Sequence, residues 1–138
     1  MKGNENTMQK PVLWGIMGTG WIAERFSAAL AALAPQGAVL HAVGSRTQES
    51  AQRFADAHNI PHAYGSYEAL VNDPSLDVIY IATPHRFHFE NARLCIEAGK
   101  AVLCEKAFTV NAQEAEALAM LAKQKWVFVM EEIGRAHV

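Results

Sequence analysis

Short runs of continuously apolar residues recur along this chain, and each is followed by a longer stretch with helical periodicity. The strand-like runs are Val12–Met17, Val39–Val43, Val78–Ala82, Ala101–Cys104 and Val127–Met130, with a weaker one at His62–Tyr64. They are apolar throughout rather than alternating, as expected where helices cover both faces of a sheet. Helical stretches at roughly Trp21–Leu33, Gln48–His58, Tyr67–Val71, Phe87–Ala98 and Ala112–Lys123 supply those covers. This alternation predicts βαβ units and a doubly wound parallel α/β sheet.

Local signals agree. Asn111 is a good N-cap and Glu114 follows at capping-box spacing, with Ala115, Leu118, Ala119 and Ala122 on one helical face. Gly99 stands where a left-handed residue closes a helix, before Lys100 leads into the next strand. Asp73-Pro74 marks a turn, because proline disfavours helical geometry in the residue before it.

The chain's 138 residues suffice for one domain with a real core. A formal net charge of −2 gives no electrostatic footprint for nucleic acid or an anionic membrane. No window is long and apolar enough for a membrane span, and residues 1–10 read as a polar mobile leader lacking a secretory apolar region. Cys95 and Cys104 lack disulfide-scaffold or zinc-site spacing and read as small packed apolar residues, which suits a reduced, cytoplasmic setting. His41, His58 and His62 lie on different elements without ligand spacing, so no metal site is expected. Trp14, Trp21 and Trp126 read as packing residues, Trp21 alone being placed to border a ligand.

The first strand runs into Met17-Gly18-Thr19-Gly20-Trp21-Ile22-Ala23, a G-x-G-x-x-A pattern opening a helix. Such a pattern is weak alone and gains weight from its place in the first βα unit. Gly18 allows a tight turn, Gly20 lets the backbone approach a pyrophosphate, and Ala23 keeps the helix close to the sheet. Helix-start amides, with Thr19, Trp21 and Ile22 beside them, then face the phosphates at the positive end of the dipole. This predicts a dinucleotide-binding Rossmann domain. A plain turn using glycine for positive φ and an adenosyl-methionine site are the alternatives, though the latter normally has an acid after the second strand. Here Gly44-Ser45-Arg46-Thr47 follows instead. An acid there binds a ribose 2′-hydroxyl, whereas arginine grips a 2′-phosphate, so Ser45 and Arg46 favour NADP over NAD. The competing reading makes Thr47 a simple N-cap and Arg46 a solvated charge.

Two more polar clusters follow strands. After the fourth comes Ala82-Thr83-Pro84-His85-Arg86-Phe87-His88, and after the fifth Glu105-Lys106-Ala107-Phe108. Both lie past carboxyl ends, where ligands bind in open α/β sheets. With the glycine turn and Ala98-Gly99-Lys100, these motifs in this order resemble the glucose–fructose oxidoreductase/inositol dehydrogenase (Gfo/Idh/MocA) family from about Val12 to Glu131. The stretch Leu103–Asn111 is most similar to its dihydrodiol and NADP-linked xylose dehydrogenase branch.

The resemblance implies roles. Gly18, Gly20 and Ala23 line the pyrophosphate, Ser45 and Arg46 meet the adenosine ribose, and Thr83, Pro84 and His88 border the cofactor. Glu105 positions the nicotinamide end, and Lys106 matches the catalytic lysine beside the substrate oxygen undergoing redox. An ammonium there stabilises developing alkoxide charge and relays the proton. Two positions depart from the family pattern: Ala107 stands where proline is common, and His85 where asparagine is common. The first disfavours a cis bond after Lys106, and the second alters a cofactor contact.

The expected organisation is a leader over 1–10, a dinucleotide-binding domain over 11–131 and a non-native tail over 132–138. Ile133–Val138 reads as a translated sequencing adapter on a truncated gene, with a genuine short protein as the competing view. The family's second domain, an open β-sheet with helices, would carry most of the substrate pocket and the oligomer contact. The expected activity is hydride transfer between NADP(H) and a small carbohydrate-like substrate (sugar, polyol or dihydrodiol), inactive in this chain alone and homo-oligomeric only at full length. A non-catalytic dinucleotide-binding or redox-sensing module is the alternative, followed by a structural domain without ligand.

Overall fold

The computed structural model describes residues 10–104, 112–125 and 129–131. They form a six-stranded sheet in the order β3-β2-β1-β4-β5-β6. The strands are β1 (Val12–Met17), β2 (Ala38–Gly44), β3 (His62–Tyr64), β4 (Val78–Ile81), β5 (Ala101–Cys104) and β6 (Val129–Glu131). Every neighbouring pair is parallel. Helices α1 (Trp21–Ala31), α2 (Gln48–His58), α3 (Tyr67–Val71), α4 (His88–Glu97) and α5 (Ala112–Lys125) complete the fold.

Parallel neighbours need crossovers, and the helices provide them. From β1 the chain builds outward through β2 to β3, then returns to place β4 on the other side of β1. That reversal opens a crevice above the carboxyl ends of β1 and β4, the usual ligand position in such sheets.

Successive strand residues face opposite sides, which splits the core in two. Met17, Ile79, Ile81 and Val102 meet Leu70 of α3, Ile96 of α4 and Leu118 of α5. On the other face Ile16 and Val43 meet Ala23 of α1 and Phe54 of α2. Fully burying each large aliphatic side chain contributes about 1.5–3 kcal/mol. Cys95 and Cys104 are buried thiols, packed in the first of these layers. Burial pushes the Cys95 thiol well above its ordinary pKa.

The boundaries depart from the sequence expectation in a few places. Helix α1 ends at Ala31 rather than Leu33, because a 3-10 turn over Ala34–Gln36 with proline in its first positions follows. Gly37, at φ +96°, then hands the chain to β2. A second 3-10 turn, His85–Phe87, precedes α4. Helix α5 runs to Lys125, and Ala119 is exposed, so its inner face is Ala115, Leu118, Leu121 and Ala122 instead. The proposed cap Asn111 and residues 126–128, with Trp126 and the start of the last expected strand, lie outside the described residues. So do the expected leader (apart from Lys10) and the tail.

A polar bolt closes the amino-terminal rim, opposite the crevice. Trp14 pairs with Leu40 and Gly15 with Ala42, so His41 is an extra residue in β2. Its Nε2 lies 3.7 Å from Asp73 Oδ2, and its ring lies 4.5 Å from that of His62. Tyr64 Oη donates to the same carboxylate at 2.8 Å, and the Ser75 amide donates to its other oxygen at 2.8 Å. Lys100 Nζ reaches the carbonyls of Asp73 and Leu76 at 2.7 and 3.1 Å. The Ala-Gly-Lys motif thus serves architecture here, with Gly99 left-handed at φ +80° and Lys100 buried as a tie. Burial opposes ionisation of Asp73, but the Ser75 amide, the Tyr64 hydroxyl and the two histidines outweigh it and lower its pKa. Burial first, then Asp73, raises Tyr64 to about 12.

Candidate functional site

The turn after β1 is built by two glycines with different jobs. Gly18 has φ +110°, and a Cβ there would lie 3.1 Å from the Ala82 carbonyl oxygen. Its amide donates to Gly44 O at 2.9 Å, while the Ala82 amide donates to Met17 O at 2.9 Å. The turn is therefore pinned between the ends of β2 and β4. Gly20 is different. Its backbone is extended (φ −84°, ψ −167°), a conformation any residue adopts, and a Cβ there would meet nothing within 4 Å. Among the described residues, no packing contact requires glycine at 20.

No side chain caps α1. The amides of a helix's first turn have no partner within the helix, so here they face the open space beside Gly20. By contrast, Thr47 caps α2 through Oγ1 and the Ser50 amide at 3.1 Å, and Ser66 caps α3. Helix α4 also lacks a side-chain cap, but its start is continued by the 3-10 turn over His85–Phe87.

That crevice is a cleft of about 780 Å³. One wall is Gly18, Thr19, Gly20, Trp21 and Ile22; the far corner is Ser45, Arg46, Thr47, Ser50 and Tyr67; the other wall is Ala82, Thr83, Pro84, Arg86, Phe87 and Asn91. The expected contacts Gly18, Thr19, Gly20, Trp21, Ile22, Ser45, Arg46, Thr83 and Pro84 thus meet around one space. His88 is not in the lining. It is buried, with Nε2 2.7 Å from the Thr83 carbonyl, so it braces the wall from behind. Glu105 and Lys106 lie outside the described residues.

The corner near Arg46 is rich in hydroxyls. Ser50 Oγ lies 2.6 Å from Ser45 Oγ and 2.8 Å from Thr47 Oγ1, which fixes all three around the exposed Arg46. Tyr67 is half-buried beside them; burial raises its pKa and the nearby Arg46 charge works against that rise. At the mouth, Trp21 is 63% exposed with Arg25 over its ring at 5.4 Å, and Arg86 lies 4.8 Å from the Phe87 ring centre. Ser50, Tyr67 and Asn91 escaped the sequence reading, Arg86 and Phe87 were named only as members of the cluster after the fourth strand, and Thr47 was seen only as a cap. Ser50 and Asn91 carried one available signal, since both are polar and sit in the first turn of a helix at the carboxyl rim. Among the described residues, no group of three or more His, Cys, Asp or Glu is placed to hold a metal ion.

A dinucleotide suits this geometry. Uncapped amides and an empty methyl-sized space at Gly20 admit a diphosphate, and Arg46 with three hydroxyls offers a phosphate-sized corner. The profile of the oxidoreductase family with an NAD-binding Rossmann fold (Gfo/Idh/MocA) matches residues 12–133. The chain belongs to this family.

Relatives within it include the trans-1,2-dihydrobenzene-1,2-diol dehydrogenase of Mus musculus, 46% identical over 120 residues, covering 87% of this chain and 36% of that protein. The NADP(+) D-xylose 1-dehydrogenase of Hypocrea jecorina is 44% identical over 142 residues, covering 95% and 35%. Among solved structures, a 3-ketoreductase from Actinomadura kijaniata in complex with TDP-benzene and NADP superposes with a TM-score of 0.82 at 30% identity, covering 88% of this chain and 38% of that one. The chain spans about a third of the length of these relatives. Among the described residues, no helix is long and apolar enough to cross a membrane.

Proposed function

We propose that this chain is the NADP(H)-holding part of an oxidoreductase that moves a hydride between the nicotinamide and a sugar, polyol or dihydrodiol. The observation that carries the reading is Gly20, whose missing side chain serves no packing purpose and leaves room at an uncapped helix start. The relatives' names supply the substrate class, and two of them name NADP.

When bound, the nicotinamide accepts or donates the hydride. The chain's own residues do the rest. Amides of α1 hold the diphosphate against the Gly18 turn, and Arg46 with Ser45 grips the 2′-phosphate. Thr83 and Pro84 wall the cofactor, braced by His88, while Glu105 orients its nicotinamide end. Lys106 places its ammonium at the substrate oxygen, lowering the cost of alkoxide charge and relaying the proton. The substrate pocket and the oligomer contact come from the further two thirds of length that the relatives possess. Two buried thiols, Cys95 and Cys104, accord with a reducing, cytoplasmic setting.

The test is a titration of the folded chain with NADPH and NADH, followed by a chimera carrying it in place of the matching part of the mouse relative. NADPH binding, with turnover in the chimera that Lys106→Met abolishes while sparing NADPH affinity, is expected. Absence of binding by either nucleotide overturns the reading; turnover that survives Lys106→Met removes the lysine's role.

A further inference from the structure

Asn91 stands in the first turn of α4, and 7% of its surface is exposed. Its Oδ1 accepts the hydroxyl proton of Thr83. That bond sets the amide's orientation, because the carbonyl end must face Thr83 and the NH₂ end must face away. The Nδ2 group finds no acceptor among the described residues. An amide donor in a nearly buried side chain that meets no protein acceptor is satisfied by water or by a ligand. Among the described residues no fully buried side-chain nitrogen or oxygen lacks a partner, so Nδ2 reaches an opening. The opening that Asn91 lines is the cleft.

Its place in the fold says which part of a ligand it meets. Asn91 and Tyr67 share one face of the sheet, where α3 packs on α4 and Tyr67 packs on the same apolar layer as the next α4 residue, Ala92. The amides of α1 serve the opposite face. Tyr67 is also the ring that feels the Arg46 charge. Asn91 therefore lines the wall on the Tyr67 face, across from α1 and from α2, which carries Ser50 of the 2′-phosphate corner. Tyr67, near the Arg46 charge, and Pro84 line the cleft with it and offer flat walls to a base.

We propose that Asn91 is a specificity-determining residue that donates from Nδ2 to an acceptor nitrogen of the adenine base. This rests on the reading that the cleft holds a dinucleotide, and it adds a base-recognising group to the phosphate-recognising ones. Thr83 acts through Asn91 as a positioning residue: its hydroxyl locks the amide so that the donor, not the acceptor, faces the ligand. A base without a suitably placed ring nitrogen leaves that donor unpaired.

The experiment uses the full chain with NADPH and with adenosine 2′,5′-bisphosphate, which has no nicotinamide. Asn91→Asp keeps an acceptor for Thr83 and removes the donor; Asn91→Ala removes both and keeps the measurement open if the buried carboxylate disturbs folding. Each variant's fold is checked by thermal melting. The expected result is a loss of about tenfold in affinity for both ligands in both variants, the size of one hydrogen bond. The ratio to the wild type should persist from 0.1 to 1 M salt, since screening relieves a charge effect but not a missing donor. Unchanged affinity in Asn91→Asp assigns Asn91 to holding Thr83 alone and overturns the proposal. A loss confined to NADPH moves the contact to the nicotinamide half and overturns it too. Wild-type chain that binds neither ligand defeats the proposed function itself, whereas wild-type binding with unaffected variants defeats only this inference.

Discussion

Gly18 lies so close to Ala82 that a Cβ on the glycine would stand 3.1 Å from the alanine carbonyl oxygen and 3.2 Å from its carbon. Neither backbone atom can yield without breaking the β1–β4 junction, and φ at +110° adds strain for any L side chain. Gly18→Ala should therefore cost about 1–3 kcal/mol of stability and weaken NADPH binding together. Gly20→Ala should separate the two effects, costing at most about 1 kcal/mol through its N-cap position while lowering affinity about tenfold or more. Thermal melts paired with NADPH fluorescence titrations would check both; equal affinity in Gly20→Ala would show that the space is not used.

Among the described residues lining the cleft, Arg46 is the cation beside Ser45, Thr47, Ser50 and Tyr67, and Arg86 lines the other wall. NADPH should bind at least about tenfold tighter than NADH, because charge-assisted bonds to a 2′-phosphate are among the strong ones. Arg46→Asp should reverse the preference by repelling that phosphate and accepting from a ribose hydroxyl. Calorimetry with both nucleotides measures the ratio directly.

Helix α3 is held down by the absence of a side chain at Gly44, where a Cβ would lie 2.8 Å from the Leu70 Cβ. Gly44→Ala should push α3 outward, costing about 1–3 kcal/mol by overpacking. Tyr67 shares that helix, so nucleotide affinity should fall as well. Gly15→Ala is the milder control, since its 2.8 Å contact is with the mobile end of Leu76. Denaturant melts on both variants should show Gly44→Ala the more destabilised.

The Asp73 bolt predicts how stability follows pH. Its carboxyl pKa is lowered from 3.8 in the fold, so it contributes stability above that value and loses it as pH falls through the lowered one. Tyr64, raised from 10.0 to about 12, keeps its proton longer in the fold and loses its contribution as pH climbs between those values. Asp73→Asn should flatten the acid limb of a stability–pH curve, and Tyr64→Phe should flatten the alkaline one. Tyr64→Phe should also cost about 1–3 kcal/mol at neutral pH by leaving the buried Asp73 with one donor fewer. Melts across the pH range would read both limbs, and unchanged limbs would show the bolt to be idle.

Much of the architecture was legible in the residues taken one after another. Continuous apolar runs, the glycine turn, Gly99 and Asp73-Pro74 are local signals, and β1, β3, β5, α2 and α3 fall where those signals put them. The end of α1 was misjudged because Pro35 has no N–H for the carbonyl four residues back, at Ala31, and its ring crowds that position, earlier than the apolar pattern fades. Ala119 looked internal because alanine suits either face of a helix, and only contact with a neighbour decides which.

The sequence by itself determined a parallel α/β sheet whose first crossover opens on a glycine turn, because hydrophobic period and backbone freedom are properties of neighbouring residues. Only the tertiary structure decided what meets across the sheet. It turned His88 away from the cleft, drew His41, His62 and Tyr64 onto Asp73, and brought Asn91 and Tyr67 to the lining of one cleft. His41 and Asp73, or Tyr67 and Asn91, are far apart along the chain, and even the nearer pairs meet through strand order and helix packing, which no local pattern encodes.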